Sequence, residues 1–350
     1  MRQLSLGDVE AAAGRVRGRV RTVAVSRLDL GPDRAGPTAA GPSGSYDSST
    51  ASAAPTGPGS GEPCRIWLAH EYMQHTGSFK ARGAVNFLRA HGEAGTLPAA
   101  GVAIASGGNA GLACAWAAQA LGVPATVFLP ASAPAVKIAR LEGYGAAVRL
   151  VEGEYADAAE ACAEFTGATG ALRGHAYDDP FVAAGAGTLL EEIRAAVPGL
   201  DTVIVAVGGG GLFAGVATAA GRHGIRTVAV EPEHSRALNA ALRAGRPVDV
   251  AVDSVAADAL GARRASGLAL EAARRGDTVS VLVPDEAIAA ARRALWDERR
   301  IVTELSGATA LAGLSLTAAD GAGYVPGPGE RVAVVLCGAN TDPSDLVAEV

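Results

Sequence analysis

Aromatic side chains are scarce in this 350-residue chain, at 4% of the sequence. A core with so few rings has to be built from Ala, Val and Leu, and the 49% apolar content allows it. Cysteine is scarcer still. Cys64, Cys114, Cys162 and Cys337 lie far apart with no Cys-x-x-Cys pair, a pattern that excludes a structural zinc site and a disulfide framework. Cys114 and Cys162 fall in Ala-rich helical patterns and read as small core residues. No cluster of Lys and Arg stands out and the net charge is −6, so nucleic acid is not an expected partner. No apolar run reaches the roughly 20 residues of a membrane span, and the first residues lack the apolar stretch of a signal peptide. A cytoplasmic protein without membrane contact is the expectation.

Glycine is abundant, with 46 residues. Between 31 and 63, Gly, Pro, Ser, Thr and Ala fill most positions and Tyr46 is the one aromatic. Such a run cannot bury enough apolar surface to offset its ordering entropy, so a flexible surface insertion is expected there. Residues 7–17 read as a helix capped by Asp8 or Gly7, and 65–68 as a strand. From 102 onward, apolar runs alternate with helical segments. Strands are expected at 102–105, 126–129, 147–151, 202–207, 227–230, 278–283 and 331–336. Helices are expected at 110–121, 134–142, 156–166, 183–196, 212–220, 236–244, 264–275, 285–300 and 307–318. That alternation predicts an α/β fold with parallel sheets flanked by helices.

The chain is organised around residues 70–85. Thr76, Gly77 and Ser78 predict a turn, and Lys80 opens a helix with Ala81, Ala84, Val85 and Leu88 on its apolar face. An ammonium group at a helix start opposes the macrodipole, so burial or covalent use of that amine is the sensible reading. Two glycine-rich loops each follow a strand and open a helix: Ser106-Gly107-Gly108-Asn109-Ala110-Gly111 and Gly208-Gly209-Gly210-Gly211-Leu212. Backbone N–H groups at such a place suit an anion. The tetraglycine matches neither the Walker A pattern nor the dinucleotide fingerprint, which leaves a phosphorylated ligand of another kind.

The motif Thr76-Gly77-Ser78-Phe79-Lys80-x-Arg82-Gly83-Ala84 resembles the lysine segment of fold type II pyridoxal-phosphate enzymes, the tryptophan-synthase-β group. Within that group it is similar to the serine/threonine dehydratases; threonine synthases usually carry Asp where this chain has Ala81. The resemblance covers nearly the whole chain apart from the insertion. It extends to His175–Pro180, Val230-Glu231-Pro232, Glu304–Ala308 and Val335–Asn340. The chain departs from the usual pattern at Val23, where relatives have Pro, and at Ala69, where Lys is common.

The resemblance implies pyridoxal 5'-phosphate as cofactor, bound covalently through Lys80 with Phe79 against its ring. It implies Asn109 on the phenolic oxygen, Gly208, Gly209, Gly210, Gly211 and Leu212 on the phosphate, and Cys337 on the pyridine nitrogen. Ser106, Gly107, Asn109 and Ala110 would hold the substrate carboxylate. A small α/β lobe over 100–178 and a large lobe from 1–99 and 179–350 follow, with a homodimer as the expected assembly. Some relatives bind a divalent cation through an acid six residues beyond the position of Glu231; here that residue is Ala237, so no metal is expected. A regulatory domain after Val350 is not expected either.

The implied reaction is β-elimination from a β-hydroxy amino acid such as L-serine or L-threonine, giving a 2-oxo acid and ammonia. Amino-acid racemase, β-replacement enzyme or synthase on the same fold, and a non-catalytic metabolite-binding protein are the alternatives. Binding alone would not need Lys80. Serine racemases of the family place a second Ser in the carboxylate loop, and the matching position here is Gly107.

Overall fold

The computed structural model describes residues 3–29, 62–315 and 323–347. The insertion expected at 31–63 falls outside these residues except for its last two positions. The described chain opens with α1 (Leu6–Val16), followed by β1 (Val25–Arg27), β2 (Arg65–Ala69) and α2 (Lys80–Glu93). Next come β3 (Val102–Ala105), α3 (Asn109–Leu121), β4 (Ala125–Pro130), α4 (Ala135–Gly143), β5 (Ala147–Val151), α5 (Tyr155–Thr169) and β6 (Leu172–Arg173). The chain continues through α6 (Pro180–Ala196), β7 (Thr202–Ala206), α7 (Gly211–Arg222), β8 (Arg226–Pro232), α8 (Ala237–Ala244), α9 (Ala257–Leu260) and α10 (Gly267–Arg275). It ends with β9 (Thr278–Val283), α11 (Asp285–Arg299), α12 (Leu305–Ala312), β10 (Arg331–Val335) and α13 (Ser344–Val347).

These strands form two sheets, in the orders β1-β2-β10-β7-β8-β9 and β5-β4-β3-β6. Every pairing is parallel except that of β1 with β2. The chain is therefore an α/β protein in which helices cover parallel sheets, as the alternation predicts. Strand β7 reads Thr-Val-Ile-Val-Ala and is buried along its whole length, the mark of a central parallel strand. Leu189, Leu190 and Ile193 of α6 are wholly buried on one face of the large sheet, each contributing about 1.5–3 kcal/mol. Ile66, Leu68, Ile204 and Val334 fill the other face. The smaller sheet has its own core, with Val102, Val127 and Leu129 packed against Leu112 and Leu141.

Several boundaries differ from the sequence reading, for local reasons. Helix α1 is capped by Ser5, whose hydroxyl accepts from Asp8 N–H while the Asp8 side chain accepts from Ser5 N–H. Helix α10 starts at Gly267 because Ser266 accepts from Ala269 N–H and stops the helix reaching back to 264. Helix α12 runs over Leu305–Ala312, earlier than 307–318; residues 316–318 lie outside those described. Among the described residues, no helix is long and apolar enough to cross a membrane, and no group of three or more His, Cys, Asp or Glu could hold a metal ion. Both carboxylate oxygens of the buried Glu231 accept from the backbone at the start of α8, from Leu238 and Asn239 N–H. All four cysteines are free.

Candidate active site

Lys80 is the first residue of α2, and its position is held from below by a buried charge cluster. Two residues along, the fully buried Arg82 donates to Glu71 at 2.7 Å and to Glu192 at 2.7 Å, with Thr188 and the Arg21 carbonyl completing its partners. Burial works against the guanidinium, but the two carboxylates outweigh it and its pKa sits above the ordinary arginine value. Glu71 precedes the lysine motif and Glu192 lies on α6, so this cluster ties the start of α2 to the large-sheet core.

The lysine segment is also joined to the chain's last strand. Phe79 N–H donates to the Cys337 carbonyl, Ala339 N–H donates to the Gly77 carbonyl, and Ser78 bridges Gly338. Thr76 makes the turn with a φ of 62°, a strained value for a β-branched residue. Strand β10 thus delivers Cys337 and Asn340 to the lysine, although more than 250 residues separate them in sequence.

Lys80 Nζ lies 4.9 Å over the Phe79 ring and donates to the Ala176 carbonyl at 2.6 Å. Burial pushes its pKa down to about 8, against the opposing pull of Cys337 and Glu304. Half or more of such an amine is neutral at mildly alkaline pH, when it can act as a nucleophile or accept a proton. Burial, reinforced by Glu304, pushes the Cys337 thiol up to about 12, so it stays protonated and donates to the Ser306 carbonyl. A small pocket beside the lysine is lined by Ala84, Phe87, Ile104, Ala110 and His175.

Asn109 begins α3, and its side-chain amide donates to Glu304 Oε1 at 2.8 Å. The Glu304 carboxylate, buried and raised in pKa by that burial, also accepts from Ser306 Oγ and Asn340 N–H. Ser106 and Gly107 form the turn from β3 into α3, and Ala110 follows on the helix. The tetraglycine crosses from β7 into α7, so Gly211 and Leu212 belong to the first helical turn, whose N–H groups have no acceptor within the helix. Leu212 turns its side chain into the large-sheet core. Tyr177 covers this loop: a Cβ on Gly209 would fall 2.3–2.4 Å from its ring atoms.

The sequence reading assigned no part to Tyr177, Glu304 or Asn340, although each lies in a segment it singled out. It passed over Glu192 and Arg140 altogether, because an isolated charge on an amphipathic helix carries no local signal.

Residues 54–338 match the family described as pyridoxal-phosphate dependent enzyme. The chain belongs to that family. It is 34% identical to the mouse protein named serine dehydratase-like over 294 residues, which cover 81% of this chain and 88% of that protein. It is 35% identical to the L-threonine ammonia-lyase of Thermotoga maritima over 279 residues, covering 79% of this chain and 67% of the other. Among solved structures, it resembles maize serine racemase with a TM-score of 0.83 at 25% identity, over 99% of this chain and 96% of the other. The processed form of threonine deaminase isoform 2 from Solanum lycopersicum gives 0.74 at 29% identity, over 81% and 77%.

The residues present suit a pyridoxal-phosphate enzyme. Ser78 Oγ, wholly buried, and Thr76 Oγ1 have no protein hydrogen-bond partner although they flank the lysine. Buried hydroxyls left in that state are costly unless a ligand or water meets them. The four glycines of the second loop let its backbone pack directly against Leu260, Tyr177 and Ala269, with no side chains of its own between a ligand and its N–H groups.

Proposed function

We propose that this pyridoxal-phosphate-dependent enzyme deaminates a free β-hydroxy amino acid of the serine and threonine kind to a 2-oxo acid and ammonia. The setting of Lys80 carries the reading: a buried amine with a pKa lowered to about 8, placed among Asn109, Cys337 and the loop that opens α3. The dehydratase and ammonia-lyase names of the similar proteins support the same chemistry.

In this reading Lys80 would hold the cofactor covalently and Phe79 would pack against it. Asn109, Cys337 and the backbone of Gly208–Leu212 hold the rest of it. When bound, the cofactor supplies an electron sink for charge developing at Cα, weaker beside a neutral thiol than beside a carboxylate. Lys80, with its amine free, would take the Cα proton of the substrate. Ser106, Gly107, Asn109 and Ala110 at the start of α3 hold the substrate carboxylate against N–H groups that favour an anion. The β-hydroxyl leaves as water, and water returned in hydrolysis releases ammonia. We assign residues 100–178 to a small lobe and 1–99 with 179–350 to a large one, which the two separate sheets support. A cytoplasmic homodimer belongs to the same reading.

The test is release of 2-oxo acid from a panel of β-hydroxy amino acids by the purified holoenzyme. Turnover of at least one member is expected; none across the panel would overturn the assignment. The likeness to a serine racemase favours one second reading, racemisation. Chiral chromatography of L-serine reaction mixtures decides it: D-serine forming as fast as pyruvate would replace the lyase assignment.

A further inference from the structure

Helix α4 belongs to the four-stranded sheet, between β4 and β5, yet two of its side chains reach the six-stranded half of the molecule. Lys137 Nζ meets Asp258 Oδ1 at 3.0 Å, on α9. Arg140 Nη2 donates to Asn340 Oδ1 at 2.7 Å, just beyond β10. The second contact leads into the site. Asn340 Nδ2 donates to Asn109 Oδ1 at 2.5 Å and to the Thr76 carbonyl at 2.7 Å. Asn109 Nδ2 in turn donates to Glu304 Oε1 at 2.8 Å.

Read as donors and acceptors, this chain has a single direction. A guanidinium only donates, so the atom Asn340 offers to Arg140 must be its carbonyl oxygen. That leaves the Asn340 NH₂ group facing Thr76 and Asn109. Asn109 must then present its oxygen to Asn340 and its NH₂ group to the Glu304 carboxylate. Without the guanidinium, the Asn340 carbonyl oxygen loses its charged partner, and the Thr76 carbonyl alone is left to hold this orientation. Asn109 then loses a restraint on where its NH₂ group points.

We propose that Arg140 is a positioning residue, acting through Asn340 to fix which way the Asn109 amide faces. Because its bond spans the two sheets, the orientation is completed only when α4 lies against the end of β10. The proposal rests on the reading of Asn109 as a cofactor ligand, and the experiment separates the two.

Apoprotein carrying Arg140→Met, Arg140→Lys, Lys137→Met or Asn109→Ala is titrated with pyridoxal phosphate. The dissociation constant and the absorbance maximum of the bound cofactor are recorded. Removal of one hydrogen bond should weaken binding by about threefold to tenfold and shift the band in Arg140→Met. Arg140→Lys, which keeps a cationic donor, should recover part of both changes. Lys137→Met cuts the other α4 contact without touching the amide chain and should match the wild type. Equal shifts in Arg140→Met and Lys137→Met would overturn the proposal in favour of simple docking of α4. A wild-type constant and band in Arg140→Met, alongside a clear change in Asn109→Ala, would also overturn it. No change in Asn109→Ala would instead remove the reading of Asn109 on which it rests.

Discussion

Leu129 fills the space into which a side chain at position 107 would grow: a Cβ built on Gly107 would lie 2.7 Å from Leu129 Cδ2. Leu129 is itself buried in the core of the small sheet. In the proposed reading, where position 107 would face Cα opposite Lys80, a side chain able to carry a proton there is absent and, as packed, obstructed. Wild-type enzyme should produce 2-oxo acid from L-serine with little D-serine. Gly107→Ser should fold, because the obstructing atom is the mobile end of a side chain, at a cost on the order of 1 kcal/mol. Added Leu129→Val should relieve the contact and raise D-serine above the single variant. Chiral chromatography of both variants checks this, and equal D-serine from the two would show that Leu129 is not the obstacle.

Lys80→Ala should keep the fold and abolish 2-oxo acid formation, since no other amine replaces it. A pH dependence follows from its lowered pKa. Below about 8 the amine is mostly protonated, and its reactive neutral fraction rises about tenfold per pH unit. Covalent capture of pyridoxal phosphate by apoprotein should therefore accelerate with pH and level off above about 8. Stopped-flow absorbance measures it; a midpoint near the free-lysine value of 10.5 would mean that burial does not depress this amine.

Gly209 separates packing from ligand binding. Gly209→Ala drives a methyl group into the Tyr177 ring and should lower both the melting temperature and cofactor retention. Adding Tyr177→Ala removes the obstruction and should restore the melting temperature. If the loop holds the phosphate, cofactor retention should stay impaired in the double variant, because Ala at 209 restricts the backbone freedom that close approach to a ligand uses and Tyr177 no longer covers the loop. Full recovery of retention would reduce the tetraglycine to a packing requirement.

Arg82→Met leaves Glu71 and Glu192 facing each other without their cation. Breaking a buried pair of this kind should cost about 3–5 kcal/mol, read from urea denaturation. Added Glu71→Gln should return part of it. Slower capture of pyridoxal phosphate by Arg82→Met is also expected, since the cluster seats the first turn of α2.

The long elements were legible because their periodicity is strong: β9 runs over Thr278–Val283 as expected, and α2 opens at Lys80. Strands β1 and β6 and helices α9 and α13 have four residues or fewer, too short for a periodic pattern to register. The caps Ser5 and Ser266 were readable in principle, as each has the right residue at the right offset.

By itself, the sequence determined the α/β class and the cofactor family. Apolar periodicity and a long motif around a single lysine are local properties, written in consecutive residues. Only the tertiary structure decided which distant groups meet. Arg82 closes with Glu192 rather than with solvent, Leu129 stands over Gly107, and Arg140 reaches Asn340 from the other sheet. Those pairings depend on how two sheets and their helices pack, and hydrogen bonds across 110–200 residues leave no spacing in the chain from which to read them.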